Sequence, residues 1–365
     1  MKRITLLIFM TIALMTLACS KQEEAKAPEA KKIGETAPAS APAQADPLAA
    51  WKPAFDPSGA QYVYTLSNVS HPAIEGTGVG YRIRDAVWEK SNGQIYVDFR
   101  PLSQLGGEKD VLSKLKMGAV QGILCSSVAA ANVADKLGIV NLPYVIDTFE
   151  KLDQFRADAE LFKEFSDSAL PAGLKVVDIT GYGTYGWATT VPVRNIAEAA
   201  QVNFRIAEAP VNTDIYKSWG LKFTVMPWPD VPQALQTGVI NGLDHTPTVC
   251  NITKKFDVAK YFTEVNYAQG LFIHLMNKSW FDKLPAELQK ILIEVIEEES
   301  AKSRTLTKAQ QEAQIADAKT KGVEFFPLAD SDRNKLIELS QPVYDAWGKK
   351  VGQDYLDKVR KTLTH

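Results

Sequence analysis

Cysteine is scarce, with three in 365 residues, so no multi-bridge disulfide framework holds this chain together and no zinc-ligand spacing occurs. The four histidines are scattered singly and give no metal set, and neither a cofactor nor a metal is expected. No serine or cysteine stands at a recognised spacing from a base, and nothing resembles a nucleophile elbow. The nearest approach to an enzyme is Cys125 or Ser126 with His245 or His71. Positive charge is not in excess: 41 Lys and Arg face 43 Asp and Glu, for a net charge of -2. A nucleic-acid partner is excluded on that ground. Long apolar runs are missing too. The run Ile4 to Ala18 is too short to span a bilayer, and no other run approaches spanning length.

What is there begins with that run. Preceded by Lys2 and Arg3, it matches the core of a secretory signal over residues 1–19. The stretch Thr16-Leu17-Ala18-Cys19-Ser20 resembles a bacterial lipoprotein signal in which Cys19 becomes the lipidated first residue, with Thr16 where Leu is usual. Residues 20–50 are dominated by Ala, Lys, Glu, Pro and Gln and cannot bury enough apolar surface to offset ordering, so they read as a flexible tether. Beyond them the composition, 45% hydrophobic and 23% charged, is ordinary for globular domains, and the length is enough for two. Cys125 and Cys250 are expected as free buried thiols, with pairing between them as the alternative.

Periodicity places strands at Gln61 to Leu66 and at Ile95, Val97 and Phe99, with a helix between them carrying Val79, Ile83, Val87 and Trp88 on one face. A second signal is internal repetition. Asp110, Val111, Leu115, Gly118 and Gly122 recur 120 residues later as Asp230, Val231, Leu235, Gly238 and Gly242. Each copy reads as a short helix, a glycine cap and an apolar strand. Two related α/β lobes follow, with a cleft between them where a small ligand would bind. Glu287 to Thr320 holds neither Gly nor Pro and predicts a helix long enough to cross both lobes.

Arg205 sits in the strand-like run Asn203-Phe204-Arg205-Ile206, facing a turn. Alone it reads as a surface arginine paired with Glu208. Beside a cleft it reads as a carboxylate grip, because a guanidinium fork donates two parallel hydrogen bonds. The segment Gly181 to Trp187 supplies glycines and aromatics that either line a pocket or pack a crossover between lobes, and both readings stay open.

These residues together resemble the substrate-binding proteins of tripartite ATP-independent periplasmic (TRAP) transporters, the C4-dicarboxylate and sialic acid receptor family. The segments that carry the resemblance are Ser103-Gln104-Leu105-Gly106-Gly107-Glu108, Leu142-Pro143-Tyr144, Phe204-Arg205-Ile206, Met226-Pro227-Trp228, Ala234-Leu235-Gln236-Thr237-Gly238 and Asn241-Gly242. The resemblance implies an α/β, two-lobed periplasmic-binding-protein-like (type II) fold with hinge strands and a long helix spanning both lobes. Lobe I is expected over 60–182 and 271–304, and lobe II over 183–270 and 305–365. It implies that Arg205 clamps a ligand carboxylate. Tyr185 stands where a second Arg often lies, His245 where an Asn is common, and Ser126 where sialic acid receptors carry an acidic side chain. The expected ligand site comprises Arg205, Tyr185, Trp228, His245, Asn68, Glu108, Ser126, Tyr144, Trp187 and Phe204. The expected ligand is a small organic anion with one acidic group and an apolar or aromatic body. The expected partners are TRAP permease subunits, and the expected address is the periplasm, lipid-anchored through Cys19. A ligand-sensing lipoprotein that feeds a signalling receptor and a periplasmic hydrolase are the alternatives.

Overall fold

Strands and helices alternate along Pro47–Leu363, the residues described in the computed structural model. The expected signal segment, Cys19 and the tether as far as Asp46 lie outside the described residues. The strands are β1 (Tyr62–Ser67), β2 (Ile95–Arg100), β3 (Gly122–Ser126), β4 (Leu174–Thr184), β5 (Gly186–Thr189), β6 (Asn203–Ile206), β7 (Lys222–Val225), β8 (Gly242–His245), β9 (Tyr261–Glu264), β10 (Gln269–Asn277) and β11 (Glu324–Pro327). They form two sheets, ordered β2-β1-β3-β10-β4 and β11-β9-β5-β8-β6-β7. The alternation at Ile95, Val97 and Phe99 is realised in β2, where all three are buried, and Val79, Ile83 and Val87 form the fully buried face of the helix Glu75–Lys90.

The two sheets share a plan. In the first, β2, β1 and β3 are parallel while β10 runs antiparallel to β3 and β4. In the second, β7, β6 and β8 are parallel while β5 runs antiparallel to β8 and β9. The repeated sequence lies at matching places in this plan. The helices Glu108–Lys116 and Val231–Gln236 are followed by Gly118 and Gly238, at φ 78° and 73°. Then Gly122 and Gly242 open the strands that pair with β1 and β6. A side chain is excluded at both openings. A Cβ on Gly122 would fall 2.0 Å from the Tyr64 hydroxyl, and one on Gly242 would fall 2.4 Å from Val202 and 2.7 Å from Phe204.

The chain crosses between sheets at Tyr185, between β4 and β5, and again between β9 and β10. These crossings are bonded to each other: the Tyr185 N–H donates to Ala268 O at 2.9 Å, and the Asn266 N–H donates to Tyr185 O at 3.0 Å. The third crossing is the helix Ala286–Thr320, unbroken over 35 residues and so about 52 Å long. Arg304 donates to Ile179 O of β4 at 2.6 Å, while Gln314, farther along, accepts from Asn251 of the second lobe at 2.7 Å. The boundaries expected at 182/183 and 270/271 fall inside β4 and β10, since the chain leaves the first sheet only after Thr184 and rejoins it at Gln269. Nor does all of 305–365 sit on the second lobe. β11 joins the second sheet, but the helix Gln353–Thr362 lies against the helix Ala159–Asp167 beside β4, with the Tyr355 hydroxyl donating to Leu161 O at 2.9 Å.

Cys125 and Cys250 are free and buried, and no described helix is long and apolar enough to cross a membrane. The Tyr64 hydroxyl lies 2.7 Å from His274 Nε2 and cannot swing aside without losing that bond. Gly122→Ala and Gly242→Ala are therefore each expected to lower the unfolding free energy by about 1 to 3 kcal/mol in urea titrations. Gly59→Ala, whose methyl would meet nothing within 4 Å, should change it by less than about 0.5 kcal/mol.

Candidate functional site

A doubly wound sheet offers ligands the crevice beyond its strand carboxyl ends, where the order of strands reverses. Here both sheets present those ends to one cavity. Val69 and Ser70 follow β1, Ser126 ends β3, Arg205 and Ala207 lie at the end of β6, and Asp244 and His245 end β8. Tyr182, Tyr185 and Phe272 from the crossing strands, with Asn212 and Trp228, complete the wall. The cavity measures ≈ 30 Å³, so the two lobes stand close together around it.

Arg205 lies on a strand flanked on both sides, opposite Thr224 of β7 and Leu243 of β8, and is only 6% exposed. Its Nε and Nη2 both donate to Met226 O, at 3.1 and 2.9 Å, which fixes the plane of the guanidinium. Its other N–H groups find no acceptor, and no carboxylate stands within ion-pair distance of it, among the described residues. The expected alternative, a surface pair with Glu208, is not formed. Burial lowers the Arg205 pKa, opposed by Tyr185, Glu108 and Asp244. The group remains a cation, because a guanidinium titrates far above neutrality.

Two carboxyls share the cavity. Glu108, half-buried at the start of the helix Glu108–Lys116, accepts the Ser126 N–H at 2.5 Å and the Ser126 hydroxyl at 2.7 Å. Burial raises its pKa against the pull of Ser126 and Arg205. Asp244 is buried. Its Oδ2 accepts from the Tyr267 hydroxyl at 2.8 Å and from Asn212 at 3.4 Å, while Oδ1 meets no donor. Burial pushes its carboxyl up to about 7, opposed by Tyr267, Tyr216 and Arg205. His245 is held neutral, since burial, then Arg205 and Lys255, press its pKa well below the usual range. The Thr246 N–H donates to its Nδ1 at 2.9 Å, which assigns the proton to Nε2 and makes that atom a donor. The Trp228 ring lies 4.8 Å from the His245 ring and 5.6 Å from Arg205 Cζ, and the Tyr182 and Tyr185 hydroxyls are 2.7 Å apart.

Of the residues expected at the site, the structure brings together Arg205, Tyr185, Trp228, His245, Glu108 and Ser126. Four lie elsewhere. Asn68 is spent on the backbone: it donates to Leu124 O at 2.7 Å and accepts the Ser70 N–H at 2.7 Å, which pins the loop that presents Ser70. Tyr144 sits at φ 59° beside Arg333, with its N–H donating to Tyr267 O. Phe204 faces away because neighbouring strand residues point to opposite sides, and Trp187 packs on it at 5.4 Å within the second-lobe core. The segment Gly181 to Trp187 thus satisfies both open readings, Tyr182 and Tyr185 lining the cavity and Trp187 packing. Asp244 and Asn212 were missed. Asp244 carried a usable signal, as the acidic neighbour of His245 at the end of the strand beside that of Arg205.

The family described as bacterial extracellular solute-binding protein, family 7 (DctP), matches residues 68–350. A solute-binding protein of Sulfitobacter sp. (strain NAS-14.1) is 26% identical over 284 residues, 76% of this chain and 85% of that protein. The C4-dicarboxylate-binding periplasmic protein DctP of Rhodobacter capsulatus is 26% identical over 274 residues, 74% of this chain and 81% of its own length. The fold is similar to that of a TRAP periplasmic solute-binding protein from Desulfovibrio salexigens, solved with bound orotic acid. That likeness has a TM-score of 0.78 at 20% identity and covers 83% of this chain and 99% of that one.

The raised Asp244 carboxyl has a consequence for stability. A carboxyl near 3.8 when unfolded and about 7 when folded adds stability in full below the lower value and loses it as pH rises through the upper one. Between about pH 4 and pH 8, wild type is expected to lose roughly 2 to 4 kcal/mol relative to Asp244→Asn in urea titrations of the ligand-free protein. A difference that does not change across that range would contradict a raised Asp244 carboxyl.

Proposed function

The chain belongs to family 7 of the bacterial extracellular solute-binding proteins, the DctP family, and from that membership we propose that it captures a small organic acid by one carboxylate at Arg205 and hands it to membrane permease subunits. The family's members are substrate-binding proteins of TRAP transporters and not enzymes, so the hydrolase alternative falls. The observation that carries the reading of the site is a buried guanidinium with no protein carboxylate against it. A desolvated cation is costly when unpaired and binds an incoming carboxylate by charge-assisted, bidentate hydrogen bonds.

Tyr185 in place of a second arginine leaves one guanidinium in the cavity, so one acidic group is gripped there. The rest of the inner site alters the expected ligand. Glu108 and Asp244 are acceptors, and the walls at Trp228, Phe272 and Tyr182 are only part of the lining. An apolar body would leave those carboxyls unpaired, which is unfavourable in a buried site. The group next to the ligand's carboxylate therefore bears hydroxyl or N–H donors, and His245 Nε2 supplies a donor in return. The Desulfovibrio neighbour was solved with orotic acid, a carboxylate on a ring with N–H groups, and the Rhodobacter relative is named for C4-dicarboxylates. The first combination suits this cavity better. Closure by rotation about the bonded crossings at Tyr185 and Ala268 follows the usual hinge behaviour of binding proteins. The permease then meets the closed form. The protein works in the periplasm, held to a membrane through a lipid on Cys19.

A thermal-shift screen of organic acids is expected to single out carboxylates with an adjacent hydroxyl or N–H, because a ligand of the native state raises the melting point by mass action. For the acid that shifts it most, Arg205→Ala should weaken binding by about 2 to 5 kcal/mol in calorimetry; unchanged affinity rejects the clamp. In fractionated cells, Cys19→Ser is expected to move the protein from the membrane to the soluble fraction, and continued membrane association rules out the lipid on Cys19.

A further inference from the structure

The inner cavity shares Val69 and Trp228 with a larger outer chamber of ≈ 390 Å³. His71 and Leu102 line it from the first lobe, and Ile252 and Lys255 from the second. Lys255 is the unusual member. It is only 7% exposed, yet no carboxylate stands within ion-pair distance of it among the described residues. Its ammonium donates to Thr253 O at 3.2 Å and lies 4.9 Å from the centre of the Trp228 ring. Arg205 Cζ lies 5.6 Å from the same ring, so the two buried cations are at most about 10.5 Å apart. Burial lowers the ammonium's pKa, Cys250 opposes this, and Arg205 adds to it.

Capping the last turn of the helix Pro247–Ile252 through Thr253 O would use one of three N–H groups and would not require burial. Two desolvated like charges, each bonded only to a backbone carbonyl, repel each other until an anion comes between them. We propose that Lys255 and the outer chamber form a second anion subsite, which takes the distal acidic group of an elongated ligand whose first carboxylate is held by Arg205. The subsite rests on the carboxylate-clamp reading of Arg205. It returns, in the outer chamber, the second cation that Tyr185 removes from the inner one.

Calorimetry with the 2-hydroxy dicarboxylates from malate to 2-hydroxysuberate, each beside its distal monomethyl ester, tests this. For at least one chain length, wild type is expected to bind the diacid about 10- to 100-fold more tightly than the ester. Lys255→Met should bring that ratio to unity with the ester's affinity retained, Lys255→Arg should preserve the ratio, and Arg205→Met should lose diacid and ester alike. Without any acid, Lys255→Met should melt no lower than wild type, since an unpaired buried cation has been removed. A lower melting point with the ratio intact would show a capping lysine and overturn the subsite, as would a wild type that favours no diacid over its ester. Full ester binding by Arg205→Met would instead overturn the clamp on which the subsite rests.

Discussion

A positive charge held out of water without a negative partner is the constraint around which this molecule is arranged. The second sheet buries Arg205 on a flanked strand and spends two of its N–H groups on a single carbonyl, that of Met226. That bond sets direction and supplies no neutralising charge. The remaining electrostatics are graded around it. Glu108 is tied to Ser126, Asp244 is raised by burial, and His245 is kept neutral. The two carboxyls would compete with a ligand for the guanidinium or repel an anion, and burial weakens both effects, while a neutral His245 adds no further charge beside Arg205.

The two lobes share one strand plan and divide the chemistry unequally. Register makes Ser67 of β1 the counterpart of Arg205 of β6, since they pair with Ile123 and Leu243, one step beyond the matching glycines. The first lobe therefore carries a small hydroxyl where the second carries the cation. What the first lobe adds is acceptor capacity, through Glu108 and the Ser126 end of β3. Neither half encloses the cavity by itself.

Much of the architecture was legible in the sequence because its signals were periodic. The helix Glu75–Lys90, the alternation in β2 and the long uninterrupted helix each follow from spacing, and the 120-residue echo marks equivalent strands in the two sheets. Residues near Arg205 in sequence were a poorer guide to the site. Phe204 is adjacent to it and lies on the other face, whereas Asp244 is remote in sequence and lies one strand over. Asn68 has the side chain of a ligand contact, but its amide is consumed by Leu124 and Ser70, a commitment only a folded chain displays. The chain leaves the first sheet at Tyr185, three residues past the expected boundary at 182. The return of the last helix to the first lobe was not foreseen, because helix periodicity tells which face is buried and not which neighbour buries it.

Tyr185 occupies two places at once. Its side chain is part of the cavity wall, and its peptide N–H and C=O are both tied to the opposite crossing segment. The cavity wall and the bonded crossing therefore share one residue, with no relay through the lobes between them. On the proposed reading, recognition and bending would meet in one residue, and a graft that changed its side chain would retune the swing of the jaws along with the taste of the pocket.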